Sequence, residues 1–212
     1  MNDKHVAVGG DFIRIFDPKD YLAMINIPDE ATCILRGHLI LEEVLNLWSS
    51  KLTGTDDLYA GTFVPFKTKL VISKNLGMSD DLYKTLYKIN EIRNRFSHRK
   101  GYELELSTID ALKIKVDKLI PSAKVQKCET FHLFVAGKDQ NGNSTEMTYT
   151  WENSDNRIKF VIVFVILMLK LTPWMQDEFV KRDINYRIIA IDQSKLHSDS
   201  NGCNATRSRA KR

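Results

Sequence analysis

Apolar positions recur with a helical rhythm along most of this chain. Between Pro28 and about Leu52, the residues Ile34, His38, Leu41, Leu45, Trp48 and Leu52 follow one another at steps of four and three. Leu35, Ile40, Val44 and Leu47 widen that face, which predicts an amphipathic core helix. Pro28-Asp29-Glu30 suits its first turn, because proline needs no amide partner there and acids complement the helix dipole. Residues 53–64 read as a loop, and Pro65 opens a second helix to about Asn75, with Gly77 placed to end it. Ser79 is a natural N-cap for a third helix whose stripe is Leu82, Leu86, Ile89 and Phe96. A fourth helix is predicted over Ser107 to Ile120, before Pro121.

The texture then changes. "TFHLFVAGKDQNGNSTEMTYTW" alternates on both sides of an Asn-Gly and predicts a β-hairpin-like insertion within 123–151. A last helix is expected from Asn156 to Leu171, stopping near Pro173, with a short strand at "YRIIAI" beyond it. Residues 1–27 show short extended signals, as in "DFIRIFD", and no clear period. The ten-residue apolar run "FVIVFVILML" is about half of what a bilayer-crossing helix needs, so it reads as a buried core helix and not as a membrane span. The expected fold class is mainly α: a helical bundle with a small hairpin-like insertion, a single domain over 1–192 (core 28–120 and 156–172), and a disordered basic tail at 193–212.

Charge and cysteine usage refine this picture. The net charge of +4 resides in the tail, where Lys195, Arg207, Arg209, Lys211 and Arg212 face only Asp199. Residues 1–192 balance 26 basic against 26 acidic side chains, which speaks against a broad nucleic-acid-wrapping surface. Cys33, Cys128 and Cys203 are scattered without metal-ligand or disulfide spacing, as expected for reduced thiols in a cytoplasmic protein. The N-terminus has no basic segment leading into an apolar one, so no secretory signal is expected. No metal or cofactor motif stands out.

The stretch carrying candidate chemistry is "NEIRNRFSHRKGYE", residues 90–103. The position between Ile89 and Phe96 that completes the apolar stripe is Arg93, and an arginine there requires a partner or a polar seam. Arginine grips phosphate bidentately, and histidine serves as general acid or base near neutrality. With RNA as substrate the 2′-hydroxyl supplies the nucleophile, so an Arg–His pair needs no metal. Arg93 and His98 are separated by four residues, about 500° of helix, and so point about 140° apart. They converge only if the helix breaks near Ser97 or if two chains pool their residues. Asn94 lies one turn from His98, placed to orient the imidazole. The structural alternative has Arg93 paired with Glu42 or Glu43 and His98 capping helix-end carbonyls. His38, inside the apolar stripe, reads as a satisfied core histidine.

Several segments together resemble the mannitol operon repressor (MltR-like) family, itself similar to the HEPN superfamily. They are "ATCILRGHLILEEVLNLWSSKL" and "FVPFKTKLVISKNLGMSDDLYKTLYKINEIRNRFSH", and the resemblance covers about residues 28–119 and the late helix at 156–171, some half of the chain. The resemblance implies a HEPN-like up-and-down bundle acting as a homodimer. Many HEPN proteins are metal-independent endoribonucleases of toxin–antitoxin or phage-defence systems, with Arg, its following polar residue and His meeting at the dimer interface. Carried over, those are Arg93, Asn94 and His98 as catalytic residues, with RNA as substrate, an antitoxin or other protein as partner, and no cofactor. MltR-like members are instead described as transcriptional regulators, which implies a non-catalytic alternative.

Overall fold

The computed structural model describes residues 10–120, 124–138 and 143–187. Six α-helices and one two-stranded hairpin form in chain order: α1 (Pro18–Asn26), α2 (Glu30–Thr53), α3 (Phe66–Asn75), α4 (Asp80–His98), α5 (Leu106–Lys118), β1 (Leu133–Lys138), β2 (Ser144–Tyr149) and α6 (Asn156–Lys181). The protein is mainly helical with a small hairpin, as the periodicity predicts. The expected disordered tail at 193–212 lies outside the described residues.

Local chemistry sets the helix boundaries. The Asp29 carboxylate accepts the Thr32 amide at 2.7 Å and starts α2, which ends where Gly54 takes the left-handed conformation at φ 69°. Ser79 caps α4, and Asp155 caps α6 by accepting the Ile158 amide at 2.7 Å. Each acidic or hydroxyl cap satisfies a backbone donor that the first helical turn leaves open.

α2 and α6 form the centre. α2 packs on α1, α3, α4 and α6, while α6 packs on α1, α2 and α5. Gly37 lets α2 approach closely, since a Cβ there would meet Met24 and Phe164 at 3.3 Å. Trp48 is fully buried, stacks on Trp174 and Phe179, and donates its indole N–H to the Ser73 carbonyl. One hydrophobic cluster runs from Phe12 to Phe179.

α6 also ties other helices down by their C-terminal ends, with three cations. Arg157 Nη1 donates to the Met24 and Ile25 carbonyls of α1 at 2.8 and 2.7 Å. Lys170 Nζ, almost wholly buried, donates to the carbonyls of Val116, Asp117 and Leu119 at the end of α5, each at 2.9 Å. Just past α6, Arg182 donates to the Leu76 carbonyl at the end of α3, and its guanidinium lies over Gly77 where a side chain would collide. Helix C-termini present unpaired carbonyls and a partial negative charge, so these contacts offset both.

Four expectations need correction. The first 27 residues are not extended where described: a 3₁₀ turn occupies Gly10–Phe12 and α1 follows, opened by Asp17 and Pro18. Only a short stripe of α1 is buried, Met24 and Ile25, too few positions to show a period. Second, α6 does not stop near Pro173 but runs ten residues beyond Leu171 to Lys181, with Pro173 inside it. Thr172, Met175 and Phe179 are buried there, and their packing outweighs the lost backbone hydrogen bond. Third, the two described residues of the anticipated strand, Tyr186 and Arg187, carry no regular structure, and the remainder of that segment lies outside the described residues. Fourth, the expectation that the apolar run is too short for a membrane span fails, because α6 has the length and hydropathy of one; the core-helix reading itself stands, since 72% of that apolar window is buried against the rest of the fold.

The hairpin pairs Leu133 with Tyr149 and Phe134 with Thr148, antiparallel. Leu133, Val135 and Tyr149 pack on the core, whereas Phe134 on the opposite face is exposed. Its Asn-Gly turn, Asn141-Gly142, lies outside the described residues.

Candidate functional site

α4 carries the candidate residues because its two sides differ in chemistry. Leu82, Leu86, Ile89 and Ile92 are buried against the core, and the helix continues unbroken to His98. Phe96 crosses edge-to-face with Tyr102 at 4.8 Å, and Arg95 reaches the Tyr102 hydroxyl at 3.5 Å. That pair folds the chain back after α4, with Gly101 supplying a φ of 73°.

Arg93 is half-buried at the end of the apolar stripe. One guanidinium nitrogen, Nη1, donates to Asn94 Oδ1 at 3.2 Å. Nε is buried without a hydrogen-bond partner, and among the described residues no carboxylate pairs with the guanidinium. The anticipated partners are engaged elsewhere: Glu42 with Lys69 at 3.3 Å, and Glu43 with Arg14 at 3.8 Å. The unpaired buried Nε–H costs free energy, while the accessible part of the guanidinium keeps its charge open to an acceptor from outside.

His98, Arg99 and Lys100 are exposed beyond the end of the helix. The His98 ring makes no hydrogen bond among the described residues, and the helix closes through the Arg99 amide on the Arg95 carbonyl instead. The capping role considered for His98 is therefore not seen. Asn94 turns to Arg93 and not to His98. Because α4 stays helical across 93–98, a single chain does not bring Arg93 and His98 together; of the two routes to convergence, a local break is absent here.

Behind Arg93 lies a polar seam joining three helices. The His38 ring, 3% exposed on α2, sits 3.1 Å from Asn90 Oδ1 on α4 and 4.2 Å from the Phe66 ring of α3. Since the amide oxygen only accepts, the imidazole Nε2–H is the donor. The other ring nitrogen, Nδ1, faces Glu42 Oε1 at 3.7 Å, and Glu42 Oε2 is held by the buried Lys69 ammonium. Burial pulls the His38 proton affinity below the usual histidine value; the Asn90 bond and Glu42 oppose this, while Arg93 and Lys69 add to it. His38 is thus the satisfied core histidine its position in the stripe suggests. Lys69 and Asn90 were not singled out by pattern. The available signals were the one-turn spacings His38 to Glu42 and Asn90 to Arg93, which place each pair on one helix face.

The two described cysteines are inert by environment. Cys33 and Cys128 are unpaired and buried, and burial pushes the Cys33 thiol up to about 12 and that of Cys128 higher still. Among the described residues no three His, Cys, Asp or Glu side chains cluster as a metal site. No family model, curated protein or solved structure matches this chain.

Proposed function

We propose that this protein is a cytoplasmic, metal-independent endoribonuclease of HEPN type, a toxin or phage-defence effector acting as a homodimer. The observation that carries the reading is Arg93: half-buried, without a carboxylate, with one nitrogen lacking any partner, and next to the exposed His98, Arg99 and Lys100. A phosphodiester offers acceptors to the accessible part of the guanidinium, a group that grips phosphate oxygens bidentately. In the proposed reaction, His98 takes the proton of the RNA 2′-hydroxyl, which attacks the adjacent phosphorus in line. The P–O5′ bond breaks, a 2′,3′-cyclic phosphate forms, and the 5′-oxygen leaves with a proton from an imidazolium. Arg93 stabilises the charge that develops on the phosphoryl oxygens. Asn94 holds the Arg93 guanidinium at 3.2 Å, an orienting role directed at the arginine.

The unbroken α4 requires a second chain to supply His98 opposite Arg93. Leu35 and Leu39, 43% and 52% exposed, flank His38 on α2 and offer apolar surface for such a seam. The separation of Arg93 from His98 in one chain equally favours a second reading, a non-catalytic MltR-like regulator or interaction module. Expression of wild type and His98→Ala, followed by growth and RNA integrity with EDTA present, decides between them. The nuclease reading expects growth arrest and cleavage by wild type, both lost in the folded variant. Wild-type protein that neither slows growth nor cuts RNA overturns it.

A further inference from the structure

His38 is the buried titratable group that the proposed chemistry leaves unused, and its surroundings connect it to the Arg93 site. It is enclosed by Glu42 on its own helix, by Phe66 and Lys69 of α3, and by Asn90 of α4, with Arg93 one turn further along α4. The bond from His38 Nε2 to Asn90 fixes how α4 is rotated against α2, one turn before the guanidinium. The formal charges of this group are Lys69 and Arg93 against Glu42 alone, so the seam already carries one excess positive charge with His38 neutral.

Neutral His38 leaves Nδ1 as a bare acceptor facing the acceptor Oε1 of Glu42 at 3.7 Å, with no proton between them. Protonation would place a donor there and make a charge-assisted bond to Glu42. What opposes it is burial together with the positive charge of Arg93 and Lys69. An anion seated on the guanidinium removes one of those charges and so favours the proton.

We propose that His38 is a proton-linked positioning residue of the Arg93 site: through Asn90 it holds the turn of α4 that presents Arg93, and it gains a proton on Nδ1 when a phosphate-class anion covers the guanidinium. By linkage the coupling is reciprocal, so the anion binds more tightly as pH falls through the His38 titration. This inference rests on Arg93 being an anion site, but its core, the coupling between Arg93 and His38, is testable without any ligand.

The experiment follows the His38 ring by NMR in the full-length protein, with histidine signals assigned through His38→Gln and His98→Asn. Wild type and Arg93→Gln are titrated from pH 4.5 to 8, each with and without inorganic phosphate, while the Arg93 Nε resonance reports phosphate binding. Removing the guanidinium is expected to raise the free-protein His38 midpoint by about half a pH unit or more. Phosphate should raise it comparably in wild type and not in Arg93→Gln, equivalent to about threefold tighter phosphate binding at low pH. An unchanged midpoint in folded Arg93→Gln overturns the coupling, even if phosphate binds. A raised midpoint in Arg93→Gln, with wild-type Arg93 and His38 both indifferent to phosphate and to a uridylyl dinucleotide, keeps the coupling but overturns the anion site and with it the nuclease reading. His38→Gln, where it folds, should lose the His38 share of the pH dependence, so that its phosphate affinity gains less than that of wild type as pH falls through the His38 titration; an identical pH dependence in the two proteins overturns the role of His38.

Discussion

Two regions of this molecule bury cations and treat them in opposite ways. Along α6, Arg157 and Lys170 find two and three backbone carbonyls at 2.7–2.9 Å, so each charge closes the end of another helix. On α4, Arg93 finds a single amide oxygen at 3.2 Å and leaves Nε without a partner. Similar chemistry thus serves two ends. A fully engaged cation is part of the scaffold, whereas one left half-engaged at the rim of the fold is available to something outside it.

The largest expected effect tests the scaffold side. Lys170→Met leaves three carbonyls at the end of α5 without their donor and should cost about 3 kcal/mol in urea denaturation. The same change should leave phosphate binding at Arg93 untouched; a stable Lys170→Met protein would break the comparison from that end. Next comes the site. Arg93→Gln should lower RNA cleavage about 100-fold, the scale seen when one transition-state donor is lost. Its unfolding free energy in urea should stay within about 1 kcal/mol of wild type, because no ion pair is broken. A large loss of stability with this change would return Arg93 to the scaffold class.

A smaller effect concerns how α6 is held. Pro173 gives the helix no amide to donate, so Pro173→Ala restores one backbone bond and should stabilise the protein by about 1 kcal/mol in thermal melts. A loss of stability there would show that the proline ring itself fills the packing. The smallest effect is the pH dependence of the fold through His38. Because its folded-state proton affinity lies below the unfolded value of 6.5, the unfolded chain binds the proton more readily. Stability is therefore complete above that value and declines as pH falls from it toward the folded midpoint. Melting temperatures at pH 7.5 and 5 should converge in His38→Gln relative to wild type, once the other titrating groups are matched.

The helical core was legible because its signal is local. The stripe of α2, the cap at Ser79 and the alternation around the hairpin each follow from backbone geometry within a few residues. α1 was not, since it buries Met24 and Ile25 only, and the continuation of α6 past Pro173 depends on Met175 and Phe179 meeting partners from distant segments. At the site, the apolar rhythm alone marked Arg93 as the residue out of place. Its missing counter-ion was invisible in sequence, because Glu42 and Glu43 were equally available on paper until Lys69 and Arg14 claimed them.

What the sequence by itself determined, then, is helices α2 to α5, the first part of α6, the hairpin and an arginine lodged in an apolar stripe, all fixed by periodicity and capping over short distances. What only the tertiary structure decided is the pairing of charges: Lys69 with Glu42, His38 with Asn90, Lys170 with the end of α5, and Arg93 with no carboxylate among the described residues. Side chains of ordinary reach choose among several partners, and that choice is made only when helices far apart in the chain are packed against one another.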